Sequence, residues 1–512
     1  MHIQIEGITF PCQCTLLKIV PSTDVSCAGK LRPIHASTIS MLSDDVLLEI
    51  FDFCQKNHTP GPQCEALPGA VWDWQILVHV CQRWRQVVFA SPLRLNLRIL
   101  CKPGTPVRKH LDIWPIFPIH IEYMIPEAIE GIDDNIVAAL EHPDRVSAVG
   151  LYRVTGPQLG TMIAVMQEPF PALTHLCLTC MLNDVPLLPS EFLGRSAPCL
   201  RTIKLVGIPF PALPVLLLST SDLVTLHIFN IPQTGYISPE AMVAALATLS
   251  RLEDLDIGFQ SPASRPDQIR LLPVTQTILP SLTHVNFRGV REYLEDFAAR
   301  IDAPRLQKIW ISYFNQPFDF EVPQLCHFIE RTLADVLNRP LRCSVEFYND
   351  FVTLTAGPTT DVPESESFEI FPSCIDVNIL CKGVDWQVSH VAQVLNQVPA
   401  LLSSTIHFAI IAYSISPEPE DMDDVEWMEL LRPISSVQAL FVSREFSGHV
   451  SRALEDIVGW TVTDVLPDLD VLCLEDQPVS TVHKFIAARL ESDCPVTTVD
   501  SRMEFKESLI YT

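Results

Sequence analysis

Two cysteines stand at a spacing that suits a metal ion, Cys177 and Cys180 in the segment CLTC. A tetrahedral zinc site takes four Cys or His ligands, usually from two such pairs. The sequence has no second C-x-x-C segment, and on a strand two residues three positions apart point to opposite faces. We therefore expect no metal site, and we interpret the sixteen cysteines as small buried hydrophobic residues.

Three histidines, His175, His227 and His284, could supply a ligand or a general base. They recur among apolar residues in different parts of the chain, and none has an acidic residue at a spacing that would orient its imidazole. The G-x-S-x-G, H-E-x-x-H, phosphate-loop and dinucleotide-binding patterns are also absent from the sequence. We expect these histidines, with Asp254 and Asp256, on an exposed face. The sequence thus predicts no catalytic residue, no cofactor and no enzymatic activity.

These residues belong to a long and apolar chain. It has 512 residues, 48% of them hydrophobic, which excludes general disorder and requires several domains or a repeat. The mean hydropathy is +0.23, but Pro, Ser, Thr and His interrupt the apolar stretches before they reach the ~18 residues of a membrane span. The first residues, MHIQIEGITFPCQC, lack the basic and apolar parts of a secretory signal. We expect no membrane association and a location in the cytoplasm or nucleus.

Charge is distributed unevenly along the chain. Residues 1–110 contain 11 Lys and Arg against 8 Asp and Glu, whereas the remainder contains 24 against 53. This asymmetry favours two functional parts, and the acidic part disfavours binding to nucleic acid or anionic membranes. The acidic segments 359–369 and 416–430 are interpreted as solvated loops, with attraction of a basic partner or phosphorylation as the alternative.

The segment LSDDVLLEIFDFC, residues 42–54, has the pattern of an amphipathic helix. Ser43 is a suitable N-cap, and two aspartates in the first turn favour the positive end of the helix dipole. A segment rich in Pro and Gly, KNHTPGPQCEALPG, ends this helix. A second helical stripe follows, and SPLRLNLRIL then alternates as a strand does from Leu93 to Ile99. The second stripe comprises Leu77, Val80, Cys81, Trp84 and Val88.

The combined spacing of the two stripes, with the segment VHVCQRWRQVVFASPLRLNL, resembles the F-box, and in particular fungal F-box proteins. The resemblance covers residues 40–100 and implies docking on the Skp-family adaptor of a cullin-based SCF ubiquitin ligase. Ser43 stands where the family usually has proline, and the loop between the helices is longer. The alternative is that both helices only cap the rest of the chain. The residues implied in docking are Leu42, Ser43, Val46, Leu47, Ile50, Phe51, Val80, Cys81 and Trp84.

Beyond residue 110 one phrase recurs, apolar-x-x-apolar-x-apolar, at intervals of 23 to 30 residues between residues 146 and 311. It recurs less clearly at Cys374 and Ser403, and clearly again at Val437 and Leu469. Helical patterns at 238–252, 291–301 and 322–337 separate some phrases. The first seven phrases begin at Val146, Leu173, Leu200, Leu223, Leu252, Leu282 and Leu306.

This period resembles that of leucine-rich repeats, and it implies parallel strands on one face with helices on the other. The Asn or Cys that the family places three residues after each phrase is missing, so buried backbone groups need other partners. An ordinary α/β sheet domain is the alternative. The predicted fold class is α/β, with an irregular segment 1–39, an F-box-like domain 40–100 and a repeat body 101–512.

The predicted function is substrate recognition for an SCF-type ligase, with an unidentified and basic client, and the alternative is a protein-binding scaffold with no ligase connection.

Overall fold

A computed structural model of the protein describes residues 4–5, 8–9, 42–56, 74–91, 94–95, 97–102, 107–113, 117–124, 134–180, 185–262, 276–314, 321–359, 373–413, 424–457, 464–496 and 498–500. The chain divides into two compact units, Met1–Leu97 and Arg98–Thr512.

The first unit is mainly helical in the part that the structure describes. Its two short strands pair antiparallel, and apart from them the predicted irregular segment 1–39 lies outside the described residues. The helix predicted at 42–54 is confirmed. The elements of this unit are β1 Gln4–Ile5, β2 Ile8–Thr9, α1 Asp44–Lys56, α2 Trp74–Val80 and α3 Gln82–Ala90.

The second unit alternates strands and helices. Its strands are β3 Ile99–Cys101, β4 Ile119–Met124, β5 Val146–Val154, β6 His175–Cys180, β7 Thr202–Val206, β8 Thr225–Ile231, β9 Asp254–Phe259, β10 Thr277–Ile278, β11 His284–Gly289, β12 Ile301–Asp302, β13 Lys308–Tyr313, β14 Leu341–Phe347, β15 Phe351–Pro358, β16 Ile375–Leu380, β17 Thr405–Ala412, β18 Ala439–Val442, β19 Val471–Leu474 and β20 Thr498–Asp500. Its helices are α4 Val107–Ile113, α5 Asp134–Leu140, α6 Gly156–Val165, α7 Leu213–Leu217, α8 Pro239–Leu246, α9 Arg291–Arg300, α10 Pro323–Thr332, α11 Ala334–Leu337, α12 Val384–Gln397, α13 Pro399–Ser403, α14 Asp424–Leu431, α15 Arg444–Asp456 and α16 His483–Glu491.

Most of these strands form one 16-stranded sheet, in the order β20-β19-β18-β17-β14-β15-β16-β13-β11-β9-β8-β7-β6-β5-β4-β3. Its strands pair in parallel except at β15, which is antiparallel to both neighbours. The phrases predicted from the sequence are confirmed as strands. In the first seven phrases all three apolar positions are buried, and the last two share one face because they alternate along a strand.

Helices cover the buried face of the sheet. The ring of Tyr293 on α9 lies 4.8 Å from that of Phe259 and 5.8 Å from that of Phe287, which stand on β9 and β11. The helices predicted at 238–252, 291–301 and 322–337 are confirmed as α8, α9 and the pair α10–α11, with shorter bounds for the first. The fold is therefore α/β, with parallel strands in one layer and helices in the other.

Main-chain hydrogen bonds join consecutive coils of the body where the strands begin. In the six phrases that begin at Leu173 to Leu306, the residue after the first apolar position donates its N–H to the preceding coil, as from Thr174 to Ser147 O and from Thr283 to Glu253 O, at 2.8 and 2.9 Å. The hydroxyls of the same two threonines donate to the same carbonyls, at 2.7 and 2.9 Å. Backbone groups at the strand entrances thus find partners without an asparagine.

The structure differs from the sequence predictions at several elements. The phrases at Cys374 and Ser403 form the strands β16 and β17, but these strands are not neighbours, because the hairpin β14–β15 lies between them. The acidic segment 416–430 is a helix from Asp424 onward, since Trp427 of α14 is fully buried against the core. The rest of that segment, and residues 360–369 of the other acidic segment, lie outside the described residues. The strand predicted over Leu93–Ile99 begins only at Ile99, because Arg94 and Leu95 form a turn.

The second apolar stripe, predicted as one helix, is two. Cys81 has an extended backbone (φ −159°, ψ 169°) and separates α2 from α3. Among the described helices, none combines the length and the hydropathy that crossing a membrane requires.

Candidate binding surfaces

The first helix, α1, carries two apolar stripes with different surroundings. Leu47 and Phe51, one helical turn apart, are 1% and 0% exposed. The ring of Phe51 packs on that of Trp84 of α3, with 4.8 Å between centroids. These side chains form the core of the helical unit, so they hold α1 against α3.

Polar groups fix the ends of these helices. The Ser43 hydroxyl accepts the N–H of Val46 at 3.4 Å, which confirms Ser43 at the N-cap of α1. The Cys81 sulfur accepts the N–H of Trp84 at 3.5 Å at the start of α3. Arg83 donates to the carbonyl of Leu42 and forms an ion pair with Asp44, 2.7 Å away. The guanidinium therefore ties α3 to the first turn of α1.

The other stripe of α1 is exposed. Val46 is 43% exposed, Ile50 40% and Phe53 68%, and their spacing of i, i+4 and i+7 places them on one side of the helix. Val80, at the last residue of α2, is 55% exposed. We call Val46, Ile50 and Phe53 the α1 stripe. It is an apolar surface of the kind that a helix presents to a groove on a partner.

The nine residues implied in docking thus fall into three groups. Leu47 and Phe51 are buried in the helical unit with the half-buried Trp84 packed on Phe51, Leu42, Ser43 and Cys81 lie at helix ends, and Val46, Ile50 and Val80 are exposed apolar residues. The sequence interpretation missed Phe53. Its spacing from Ile50 was the signal, but Asp52 and Cys54 beside it made the end of the stripe ambiguous.

The face of the body's sheet opposite the helices is polar. Side chains that alternate with the buried positions are half-buried or exposed, as in β6, where His175 is exposed and Cys177 half-buried while Cys180 is buried. His227 Nε2 lies 3.0 Å from Asp254 Oδ2 of the next strand. The expectation that none of the three histidines is paired with an acid is therefore wrong for His227, because the parallel pairing of β8 with β9 places Asp254 diagonally across from it, 27 positions away in sequence.

One row across this face combines acids with an exposed aromatic ring. Asp256, Asn286, Trp310 and Asp376 are register partners on β9, β11, β13 and β16. Trp310 is 49% exposed. Burial raises the pKa of Asp256 to about 6, against the lowering effect of His227, and burial also raises the pKa of Asp376.

The next row carries a cation between two aromatic rings. The guanidinium of Arg288 on β11 lies 5.8 Å from the ring centroid of Phe229 and 5.6 Å from that of Phe314. Its register partners are Gly258 and Ser312, and a Cβ at Gly258 would come within 2.5 Å of the Phe229 ring. The missing side chain thus leaves room for this ring beside Arg288.

Other kinds of site find little support in the described part of the chain. An apolar cavity beside α10 and α12 has a volume of about 20 Å³, which is room for about one water molecule and too little for a larger ligand. Among the same residues, no three His, Cys, Asp or Glu side chains are grouped to hold a metal ion.

No family model matches this sequence, and no curated protein matches it. Among solved structures, it is similar to the leucine-rich repeat-containing protein LegL7 from Legionella pneumophila, at 13% identity and a TM-score of 0.26, over 69% of this chain and 93% of that chain. It is also similar to the internalin-like protein lmo2027 from Listeria monocytogenes, at 11% identity and a TM-score of 0.18, over 48% of this chain and 89% of that chain. These TM-scores are too low to assign a fold, so the fold assignment rests on the strand order, register and burial of this chain.

Proposed function

We propose that the protein is a substrate-recognition adaptor of an SCF-type ubiquitin ligase in the cytoplasm or nucleus. The helical unit docks on the Skp-family adaptor through the α1 stripe, and the polar sheet face of the body binds a client protein. Such an adaptor makes no bond itself, because it acts by raising the concentration of the client near the ubiquitin-charged enzyme. It needs no cofactor.

The exposure of Val46 and Ile50 on a helix whose other stripe is buried carries this proposal. Partly exposed apolar side chains at i, i+4 and i+7 are what a helix-in-groove contact uses. The F-box resemblance of residues 40–100 supports the Skp family as the partner. The remainder of the chain is acidic, unlike residues 1–110, and this difference in charge suits a body that binds a second partner, the client.

The test measures binding of the purified protein to a Skp-family adaptor by calorimetry. Val46→Asp and Ile50→Asp are each expected to weaken the complex at least about tenfold, since a carboxylate would be buried in an apolar interface. Leu47→Asp is unsuitable, because Leu47 is 1% exposed and a charge there would unfold the helical unit.

Val215→Asp is the matched control. Val215 on α7 is 46% exposed, close to Val46, but it belongs to the body. This variant is expected to bind the adaptor as the wild type does. If the wild type forms no complex, or if Val46→Asp and Ile50→Asp bind as tightly as Val215→Asp, the ligase connection fails and a scaffold without it becomes the better description.

A further inference from the structure

We propose that the sheet face around Trp310 binds a basic segment of the client that carries arginine, with the guanidinium stacked on the indole ring. This inference rests on the proposed function, because it names the chemistry of the client.

Trp310 provides an aromatic surface on the body's sheet. It stands on β13, between β11 and β16, so its exposure of 49% does not come from a position at a sheet edge. It makes no ring or cation contact with other described residues. The faces of tryptophan rings attract cations, and exposed tryptophans contribute strongly to protein interfaces.

Acceptor groups flank the indole on both sides. Asp376 lies on the adjacent strand and Asp256 two strands away on the other side, or ~5 and ~10 Å by strand spacing. Within the described residues, Oδ1 of Asp256 and Oδ1 of Asn378 are buried without a hydrogen-bond partner. Both residues are half-buried, so rotation of the terminal group brings an oxygen toward the surface. Asp256 and Asn378 stand three strands apart, or ~14 Å, so two arginines of the same segment, each with five N–H donors, would supply the hydrogen bonds that these groups lack.

The two cations nearest to Trp310 on the described strands already have partners. Arg288 lies over the rings of Phe229 and Phe314, and Lys308 Nζ is 3.8 Å from Asp376 Oδ2. The groups of this surface that can still bind a cation are the ring of Trp310 and the acceptor oxygens of Asp256 and Asn378. Arg288 also shows, one row away, the aromatic stacking that we propose for the arginine of the client.

Electrostatics favours the same occupant. Residues 111–512 contain 24 Lys and Arg against 53 Asp and Glu, so a basic segment is attracted to the body at long range. Arginine is preferred over lysine, because its planar group stacks on the ring and donates to two acceptors at once.

The experiment uses the full-length protein and a fluorescein-labelled hexa-arginine peptide, followed by anisotropy at about 150 mM salt to screen long-range attraction. Trp310→Ala and Asp256→Asn are each expected to weaken binding at least about tenfold, as for a central interface residue. Trp386→Ala on α12, where the tryptophan is 37% exposed, is the matched control and is expected to stay within about twofold of the wild type. A hexa-lysine peptide is expected to bind the wild type about fivefold more weakly or worse.

Equal affinities of the Trp310→Ala and Trp386→Ala variants, or equal affinities for the two peptides, would overturn the inference. The Trp310→Ala and Trp386→Ala variants are both expected to bind the Skp-family adaptor as the wild type does. The Val46→Asp variant is expected to bind the peptide as the wild type does. A wild-type protein that binds the adaptor but not the peptide would therefore reject this inference alone, while a wild-type protein that binds the peptide but not the adaptor would reject the proposed docking alone.

Discussion

Single carboxylates join consecutive coils of the body. The carboxylate of Glu295 on α9 accepts the N–H groups of Gln324 and Leu325 at the start of α10, both at 2.9 Å. Glu455 on α15 does the same for Lys484 and Phe485 of α16, at 2.9 and 3.3 Å. Each carboxylate satisfies donors that a helix start leaves without partners, so it fixes the position of the next helix.

Asp256, in contrast to these two glutamates, lowers the stability of the fold when its carboxylate is charged. Burial raises its pKa to about 6 from the usual 3.8, and the neighbouring His227, Asp254, Lys204 and Asn286 adjust that value in both directions. Between these two values the folded protein holds a proton that the unfolded chain has released. The charged carboxylate therefore lowers stability above pH 6, and stability rises as the pH falls from about 6 to 4.

Replacing Asp256 with Asn is expected to increase the free energy of unfolding at pH 7.5 by roughly 1 to 3 kcal/mol, because the buried charge is removed. The gain is expected to shrink at pH 4.5, where the wild-type carboxyl is protonated. Urea unfolding at the two pH values measures both effects. A variant that is less stable than the wild type at pH 7.5 would contradict this assignment. A gain in stability with a loss of peptide binding would identify Asp256 as a residue kept for binding.

At the scale of single residues, the sequence predicts buried positions better than binding positions. Leu47 and Phe51 were predictable as helical stripe residues, and Ser43 as a cap, because periodicity and capping chemistry are local. Trp310 was not singled out, because it is one of the polar-face positions of a phrase, where any side chain is tolerated. Its partners Asp256 and Asp376 lie 54 and 66 residues away in sequence. Only the strand register brings them together.

Among the elements, α1 has two sides with different roles in the fold. One side packs on α3 through Phe51, and the α1 stripe on the other side is exposed. The break between α2 and α3 could not be predicted, because the apolar stripe continues across Cys81 and neither Gly nor Pro marks it. The hairpin β14–β15 had a signal: two alternating runs, LRCSVEF and FVTLTAGP, flank the turn residues YND. The repeating phrase does not fit these runs, and so they were missed.

Phe51→Ala is expected to destabilise the helical unit by about 3–5 kcal/mol, because it removes a fully buried ring and leaves a cavity beside Trp84. Hydrogen exchange is expected to accelerate in α1 and α3 but not in β5 to β9, since these strands belong to the other compact unit. Unchanged exchange in α1 would show that Phe51 does not hold this helix.

The whole molecule consists of two units that divide between Leu97 and Arg98. The sequence placed a boundary at residues 100/101 from the change of pattern, whereas β3 at Ile99–Cys101 already belongs to the sheet. The parallel sheet with helices on one side was predictable, because each phrase buries the same three positions. The order of strands beyond β13 was not, since it depends on pairing between distant segments.

A chain that comprises only residues 98–512 is expected to fold, because the sheet and its helices form a compact unit. Circular dichroism and a single cooperative melting transition would show this. The shortened chain is also expected to bind hexa-arginine with the affinity of the full-length protein and to lose the Skp-family adaptor. An unfolded product would mean that the two units are not independent.

The position of β16 has a consequence for the chain as it leaves the ribosome. Its residues 375–380 are made after the hairpin at 341–358, yet they lie between that hairpin and β13. Until they emerge, the N-terminal array ends in β13 with unsatisfied N–H and C=O groups, a template for pairing with another nascent chain. Synthesis that pauses shortly before residue 375 would lengthen this exposure, and cotranslational aggregation would increase most there.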